Sequence, residues 1–288
     1  MDNKKFDQVI KQNVGFISGL ASGVVYILLG QPFDTVKIRL QVTQNQNQTI
    51  GQTVKQLIQE DGLRGFYKGT TAPLIGIGAI TSIQFGVFEK MKKNFQQSSE
   101  KLNFQQLVTS GSVSCLAASI FTIPVEHVRI KMQIQMQSSK LFPNSLSCFG
   151  QIYSQYGIQG LYRGMGVGVI RESLMGLKYG GYSYLMQQGN MKNTNQKQNS
   201  IISGAISGFL TWLIIYPIDS IKSKMQGDNL KSPKYQSYSQ IIKTTSFKQL
   251  YHGLIPCLQR SIVVNMGGFL AYEQVKQLIC SNFRDFQY

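Results

Sequence analysis

The chain has 288 residues and a net charge of +16, with an isoelectric point of 9.7 and a mean hydropathy of −0.09. So basic and polar an average would ordinarily mean a soluble, nucleic-acid-binding protein. The distribution excludes that: the bases sit in loops and at helix ends (Lys90, Lys92, Lys93, Lys131, Lys222, Lys224) rather than in an aromatic-studded patch, a pattern that suits anionic lipid headgroups.

Taken in chain order, Met1-Asp2-Asn3-Lys4-Lys5 is neither a secretory signal nor an Arg-rich presequence. No charge then occurs between Lys11 and Asp34, a stretch long enough to span a bilayer. Gly15, Gly19 and Gly23 within it would let a neighbouring helix approach closely, as would Gly204 and Gly208 later. The stretch ends on Pro32-Phe33-Asp34-Thr35-Val36-Lys37, with Gln41 one turn on. After a Gln/Asn-rich link (44–48) come Asp61-Gly62 and Tyr67-Lys68-Gly69, then a second uncharged stretch closing on Phe88-Glu89-Lys90-Met91-Lys92.

The same order returns twice. Pro124-Val125-Glu126-His127-Val128-Arg129 and Pro217-Ile218-Asp219-Ser220-Ile221-Lys222 repeat the pattern Pro, any, acid, any, any, base, with prolines 92 and 93 residues apart (124 − 32, 217 − 124). Gln133 and Gln226 trail them as Gln41 does, and Tyr162-Arg163-Gly164 and Tyr251-His252-Gly253 follow. A fixed period of this size means three copies of one unit, here 1–101, 102–197 and 198–288. Uncharged stretches at 102–125 and 198–218 mark two more spans. The windows 165–188, with Arg171, Glu172 and Lys178, and 254–279, with Arg260, are harder to see, but repeat symmetry makes each the counterpart of 70–93. Cys115, Cys148, Cys257 and Cys280 lack metal-binding spacing and read as small hydrophobes in a reducing compartment.

Over essentially its whole length the chain resembles the mitochondrial carrier family, whose motifs recur here in register. The resemblance implies an all-α protein of the inner mitochondrial membrane: six transmembrane helices from three repeats, each repeat adding a short matrix helix, arranged pseudo-three-fold around a central cavity and working by alternating access. Cardiolipin is the lipid expected at the aromatic-base-Gly turns, and no other cofactor is expected. The runs Tyr67-Lys68-Gly69-Thr70-Thr71-Ala72-Pro73 and Tyr216-Pro217-Ile218-Asp219-Ser220 look most like the amino-acid and carnitine branch.

The repeated residues have readable roles. A proline inside a helix removes one hydrogen bond and bends it, so Pro32, Pro124 and Pro217 would draw three helix ends to the axis. Acid and base three apart share a face, so Asp34, Glu126 and Asp219 can pair with Lys37, Arg129 or Lys222 of a neighbouring repeat, closing a matrix gate that Gln41, Gln133 and Gln226 would brace. At the turns, Gly62, Lys68, Gly69, Gly157, Arg163, Gly164 and Gly253 are candidates for lipid phosphate, with amides at helix starts and the two bases supplying positive charge. His252, and the absence of an acid-Gly pair in the third copy, predict weaker lipid binding there.

A metabolite is not three-fold symmetric, so its ligands should break the symmetry. Seven residues after each motif glycine stand Gly76, Arg171 and Arg260; with Thr81, Glu172, Met175 and Lys178 they form the candidate substrate site. Charged residues in a span are functional by default. The arginines would take carboxylates, and Glu172 would either hold a cationic group or neutralise Arg171. An outer gate is expected from Phe88, Glu89 and Lys92 with Tyr272, Glu273 and Lys276, whereas Ser183, Tyr184 and Gln187 supply no charge in the second copy. The favoured function is transport of an amino acid or carnitine-like carboxylate. The alternative is a carrier-fold subunit docked to a respiratory complex.

Overall fold

The computed structural model describes residues 14–42, 48–96, 102–136, 141–188 and 196–282. In chain order these form α1 (Val14–Val42), α2 (Ile50–Asp61), a 3₁₀ turn (Leu63–Tyr67), α3 (Thr71–Gln96), α4 (Phe104–Ile134), α5 (Ser145–Leu161), α6 (Met165–Gln188), α7 (Gln196–Gly227), α8 (Tyr238–Thr244), α9 (Phe247–Leu250) and α10 (Leu254–Asn282), with no strand among the described residues. Six of them (α1, α3, α4, α6, α7 and α10) have 24 to 32 residues. At about 1.5 Å per residue each outreaches a hydrocarbon layer of about 30 Å. Each repeat contributes two of these and, between them, a short helix that starts on a side-chain cap: Thr49, Asn144 or Ser237.

Four stretches (63–96, 104–134, 203–227 and 247–279) are long and apolar enough by composition to cross a membrane. The last contains the window that its arginine made look doubtful. The long helix α6 carries the charges Arg171, Glu172 and Lys178 within its span.

Around the axis the order is α1, α3, α4, α6, α7, α10 and back to α1. Neighbours from different repeats pack along their length, but within a repeat only α4 and α6 do so; α1 meets α3, and α7 meets α10, sparsely. The reason is local. A Cβ on Gly176 would sit 2.4 Å from the Ser112 amide, one on Gly180 2.5 Å from that of Val108, and one on Gly111 2.8 Å from the Gly176 carbonyl. The first repeat has Thr81 and Phe85 where Gly176 and Gly180 stand, counting from the motif glycine, and the third has Asn265 in place of Gly176. Of the glycines expected to make close approaches, Gly23 does, with a built Cβ 2.8 Å from Ile77 Cδ1, whereas Gly19 and Gly208 have nothing within 4 Å and Gly204 only the Tyr182 ring.

Pro32, Pro124 and Pro217 lie inside α1, α4 and α7, leaving the carbonyl four residues back without its helical donor. In the second and third repeats that carbonyl finds a substitute in the aromatic-base-Gly turn of its own repeat. The Tyr162 hydroxyl donates to Ile120 O at 2.7 Å, and the Tyr251 hydroxyl to Leu213 O at 3.1 Å. Other positions around the proline tie to the same turn: Gln31 Nε2 donates to Lys68 O (2.8 Å), Tyr216 to His252 O (2.9 Å), and Thr35 Oγ1 to Phe66 O (2.8 Å), while His127 Nδ1 lies 3.2 Å from Leu161 O. The turn holds its shape because Gly69, Gly164 and Gly253 take φ of +80°, +83° and +92°, which a side chain would strain. Proline and turn are thus one structural unit, which explains why they recur together. Tyr251→Phe should lower thermal stability by about 1–2 kcal/mol, because a buried carbonyl loses its donor with no water to replace it; a melting curve in detergent indistinguishable from wild type would refute the bracing.

Candidate functional site

Just past the three prolines the odd helices converge and their charges meet. Asp34 accepts from Arg129 at 2.8 Å, Asp219 pairs with Lys37 at 2.6 Å, and Glu126 accepts from Lys222. Every pair joins two repeats: first to second, second to third, third to first. Lys37, Lys222 and Asp219 are nearly buried, so a charge deprived of its partner here would lack water to replace it. Aromatic faces add to this, with Lys37 Nζ 4.4 Å from the Trp212 ring centroid and 5.4 Å from that of Tyr216.

The trailing glutamines do not share one task. Gln41 Nε2 donates to Asp219 at 3.3 Å and so braces the Lys37 pair. Gln133 donates instead to the Thr35 hydroxyl (3.2 Å) and Gln226 to Arg163 O (3.2 Å), so neither touches an ion pair. A second buttress that periodicity could not show is Gln31, whose Oε1 accepts from Arg129.

Above this ring lies a cavity of about 260 Å³. Arg171, Glu172, Met175, Lys178 and Arg260 line it; Gly76 and Thr81 do not. A Cβ on Gly76 would point at Val125 and Ile80, and Thr81 gives its hydroxyl to Ile77 O at 2.7 Å, at the position where the second repeat has its contact glycine. Both arginines are occupied by ring acids. Arg171 donates to Glu172 and, at 3.2 Å, to Glu126, and its Nε lies 3.4 Å from Asp219, near enough for attraction but off the line of a hydrogen bond. Arg260 Nε lies 2.9 Å from the Asp34 carboxylate, and its guanidinium stacks 5.0 Å from the Tyr26 ring centroid. Tyr26, Gln84, Tyr179 and Trp212 also line the space and were not foreseen. Tyr26 and Trp212 could have been: six and five residues before the motif proline, the other copies have Ala118 and Thr211, and Ile27 and Ser119. Extending the search for broken symmetry to the odd helices finds both.

At the far end, Lys92 pairs at 3.1 Å with Glu89 of its own helix rather than across repeats. Phe88 lies 6.2 Å from Tyr179, and Tyr184 packs edge-on to Phe104 at 5.4 Å. Tyr272, Glu273 and Lys276 occupy the corresponding stretch of α10.

The turn bases face inward, against expectation. Lys68 pairs with Asp61 at 2.6 Å and donates to Gln135 O; Arg163 pairs with Asp228 at 3.1 Å and donates to Met225 O and Tyr235 O. Burial would raise the Asp61 carboxyl, but hydrogen bonds from Lys68 and Arg39 hold it below the usual carboxylate range. His252 Nδ1 lies 3.3 Å from Leu40 O, so all three turn residues stitch their repeat to the next. Gly62 and Gly157 share one backbone shape, with φ of +63°.

Six membrane-length helices in three repeats around an axial, charge-lined cavity define a solute carrier of the membrane-embedded kind. The family comparison agrees: the mitochondrial carrier protein model matches residues 12–99, 100–191 and 194–283, and the chain belongs to that family. It is therefore a transporter rather than an enzyme, and a multi-pass protein of the inner mitochondrial membrane. It is similar to the glutamate/glycine mitochondrial carrier ymc1 of Schizosaccharomyces pombe (36% identical, covering 92% of this chain and 94% of that protein) and to the mitochondrial glycine transporter YMC1 of Saccharomyces cerevisiae (35%, covering 91% and 90%). It also matches the mitochondrial basic amino acids transporter of Homo sapiens (29%, covering 88% and 86%).

Asp34 is the acid whose loss should cost most, because it alone holds two arginines, Arg129 and Arg260. Asp34→Asn should lower stability by about 3 kcal/mol or more, and Arg260→Ala, which leaves Asp34 its pair with Arg129, by less. Equal melting temperatures for the two variants would refute this ordering.

Proposed function

We propose that the protein carries an amino acid, or a carnitine-like compound that likewise combines a carboxylate with a cationic group, by alternating access. One observation supports this above others. Among the described residues, Lys178 has no acid partner, and Glu172, six residues earlier on α6, gives Oε1 to Arg171 while its Oε2 has no protein partner. An unengaged ammonium and an unengaged carboxylate oxygen in one cavity complement a zwitterion. The volume, below the roughly 300–1,000 Å³ of sites for drug-sized ligands, suits a small metabolite rather than a nucleotide. Relatives whose names specify glycine, glutamate and basic amino acids point to the same class.

In this reading the ion-pair ring is the matrix gate, closed here, and Glu89 and Lys92, which pair within one helix, belong to an open outer gate. Arg171 and Arg260 connect the two functions. A substrate carboxylate that approaches either arginine competes with Glu126, Asp219 or Asp34, so binding loosens the ring that must open. Uptake of radiolabelled amino acids and carnitine into proteoliposomes tests the whole reading. Wild type should take up at least one, Lys37→Asp should abolish uptake, and the swap Lys37→Asp with Asp219→Lys should restore part of it. Uptake of no zwitterion would overturn the proposal and favour a carrier-fold subunit docked to a larger inner-membrane complex.

Anionic lipid remains the proposed ligand of the three helix starts after Gly69, Gly164 and Gly253, through backbone amides instead of the Lys68 and Arg163 charges. Cardiolipin should raise the melting temperature, and Lys68→Gln should leave that increment unchanged. Its loss in the variant would restore a direct lysine contact.

A further inference from the structure

The cavity carries more positive charge than its acids balance, and the surplus can be located. Six Lys and Arg side chains and four Asp and Glu side chains line it, a surplus of two positive charges (6 − 4). Arg171, Lys222 and Lys37 face Glu126, Glu172 and Asp219, three bases to three acids. Arg129 and Arg260 share the single carboxylate of Asp34. Lys178 pairs with none among the described residues. The excess therefore resides at Lys178 on α6 and at the Arg129–Arg260 pair.

From this we infer that the substrate is an acidic amino acid, and that Lys178 is the residue that selects it. The inference rests on the amino-acid reading above and narrows it. One carboxylate of the substrate meets the Lys178 ammonium, the second meets Arg260 in competition with Asp34, and the ammonium meets Glu172 Oε2. A basic amino acid would add a positive charge to a space that already has two too many, where screening by water is weakest. Glycine can engage one of the two positions but not both. Lys178 stands on the stripe of Arg171 and Met175, at i+7 from the first and i+3 from the second, so its side chain enters the same space from the same helix face. Because it makes no ion pair in the closed state, its removal alters recognition without breaking the ring.

The test is competitive uptake into proteoliposomes of labelled glutamate, glycine, lysine and a four-carbon dicarboxylate by wild type, Lys178→Ala, Lys178→Arg and Lys178→Glu. Wild type should prefer glutamate to the other three. Loss of one charge-assisted hydrogen bond should lower the glutamate-to-glycine preference of Lys178→Ala about 10- to 150-fold. Lys178→Arg should recover most of it, and Lys178→Glu should shift preference toward lysine. A melting temperature of Lys178→Ala within about a degree of wild type, unlike that of Asp34→Asn, would show that the change is in recognition and not in the fold. No preference for glutamate in wild type, equal uptake of the dicarboxylate, or an unchanged ratio in Lys178→Ala would overturn the inference while leaving amino-acid transport intact. Uptake of no amino acid at all would instead overturn the reading on which it rests.

Discussion

An ion taken out of water must find its opposite within a few ångströms or destabilise the fold by several kcal/mol. Asp34, Glu126 and Asp219 lie deep between membrane-length helices, and each finds its base only in another repeat. No repeat is therefore electrostatically complete by itself. That requirement holds three similar units in one cyclic arrangement, and in the proposed gating role it would set the energetic scale of opening: three pairs would have to separate, and something would have to replace each lost partner.

Two features distribute that cost. Trp212 and Tyr216 stand beside Lys37, and Gln31 and Gln41 each reach a ring side chain, so a separating charge retains some polar or aromatic company. Arg171 and Arg260 add positive charge from the cavity side, so the ring acids are shared between the ring and the cavity. The prolines behave in the same economical way. The carbonyl that each one orphans is returned to a hydrogen bond by the tyrosine of the turn in the second and third repeats, so the bend beside the ring and the turn that follows are tied together.

Symmetry is broken where function requires it. The second repeat packs its two long helices tightly through Gly111, Gly176 and Gly180, and the same α6 presents Arg171, Glu172, Met175 and Lys178 to the cavity. The first and third repeats, bulkier at the equivalent positions, leave their helices apart. One tightly packed repeat, flanked by two looser ones, thus carries most of the candidate substrate residues that line the cavity.

The sequence by itself determined the repeat number, the six long helices, the family and the membership of the ring. Those features recur with a period of 92 and 93 residues, and acid and base three apart must share a helix face. It also located most of the cavity residues, because a charge in an apolar span is conspicuous. Only the tertiary structure decided which base meets which acid, that Gln133 and Gln226 leave the ring, that Lys68 and Arg163 turn inward to Asp61 and Asp228, that Gly76 faces Val125, and that Thr81 turns its hydroxyl back to its own helix. Each of these depends on the distance between side chains nearly a hundred residues apart or on the rotation of one helix against another. Packing sets both quantities, and neither has a period that a sequence can display.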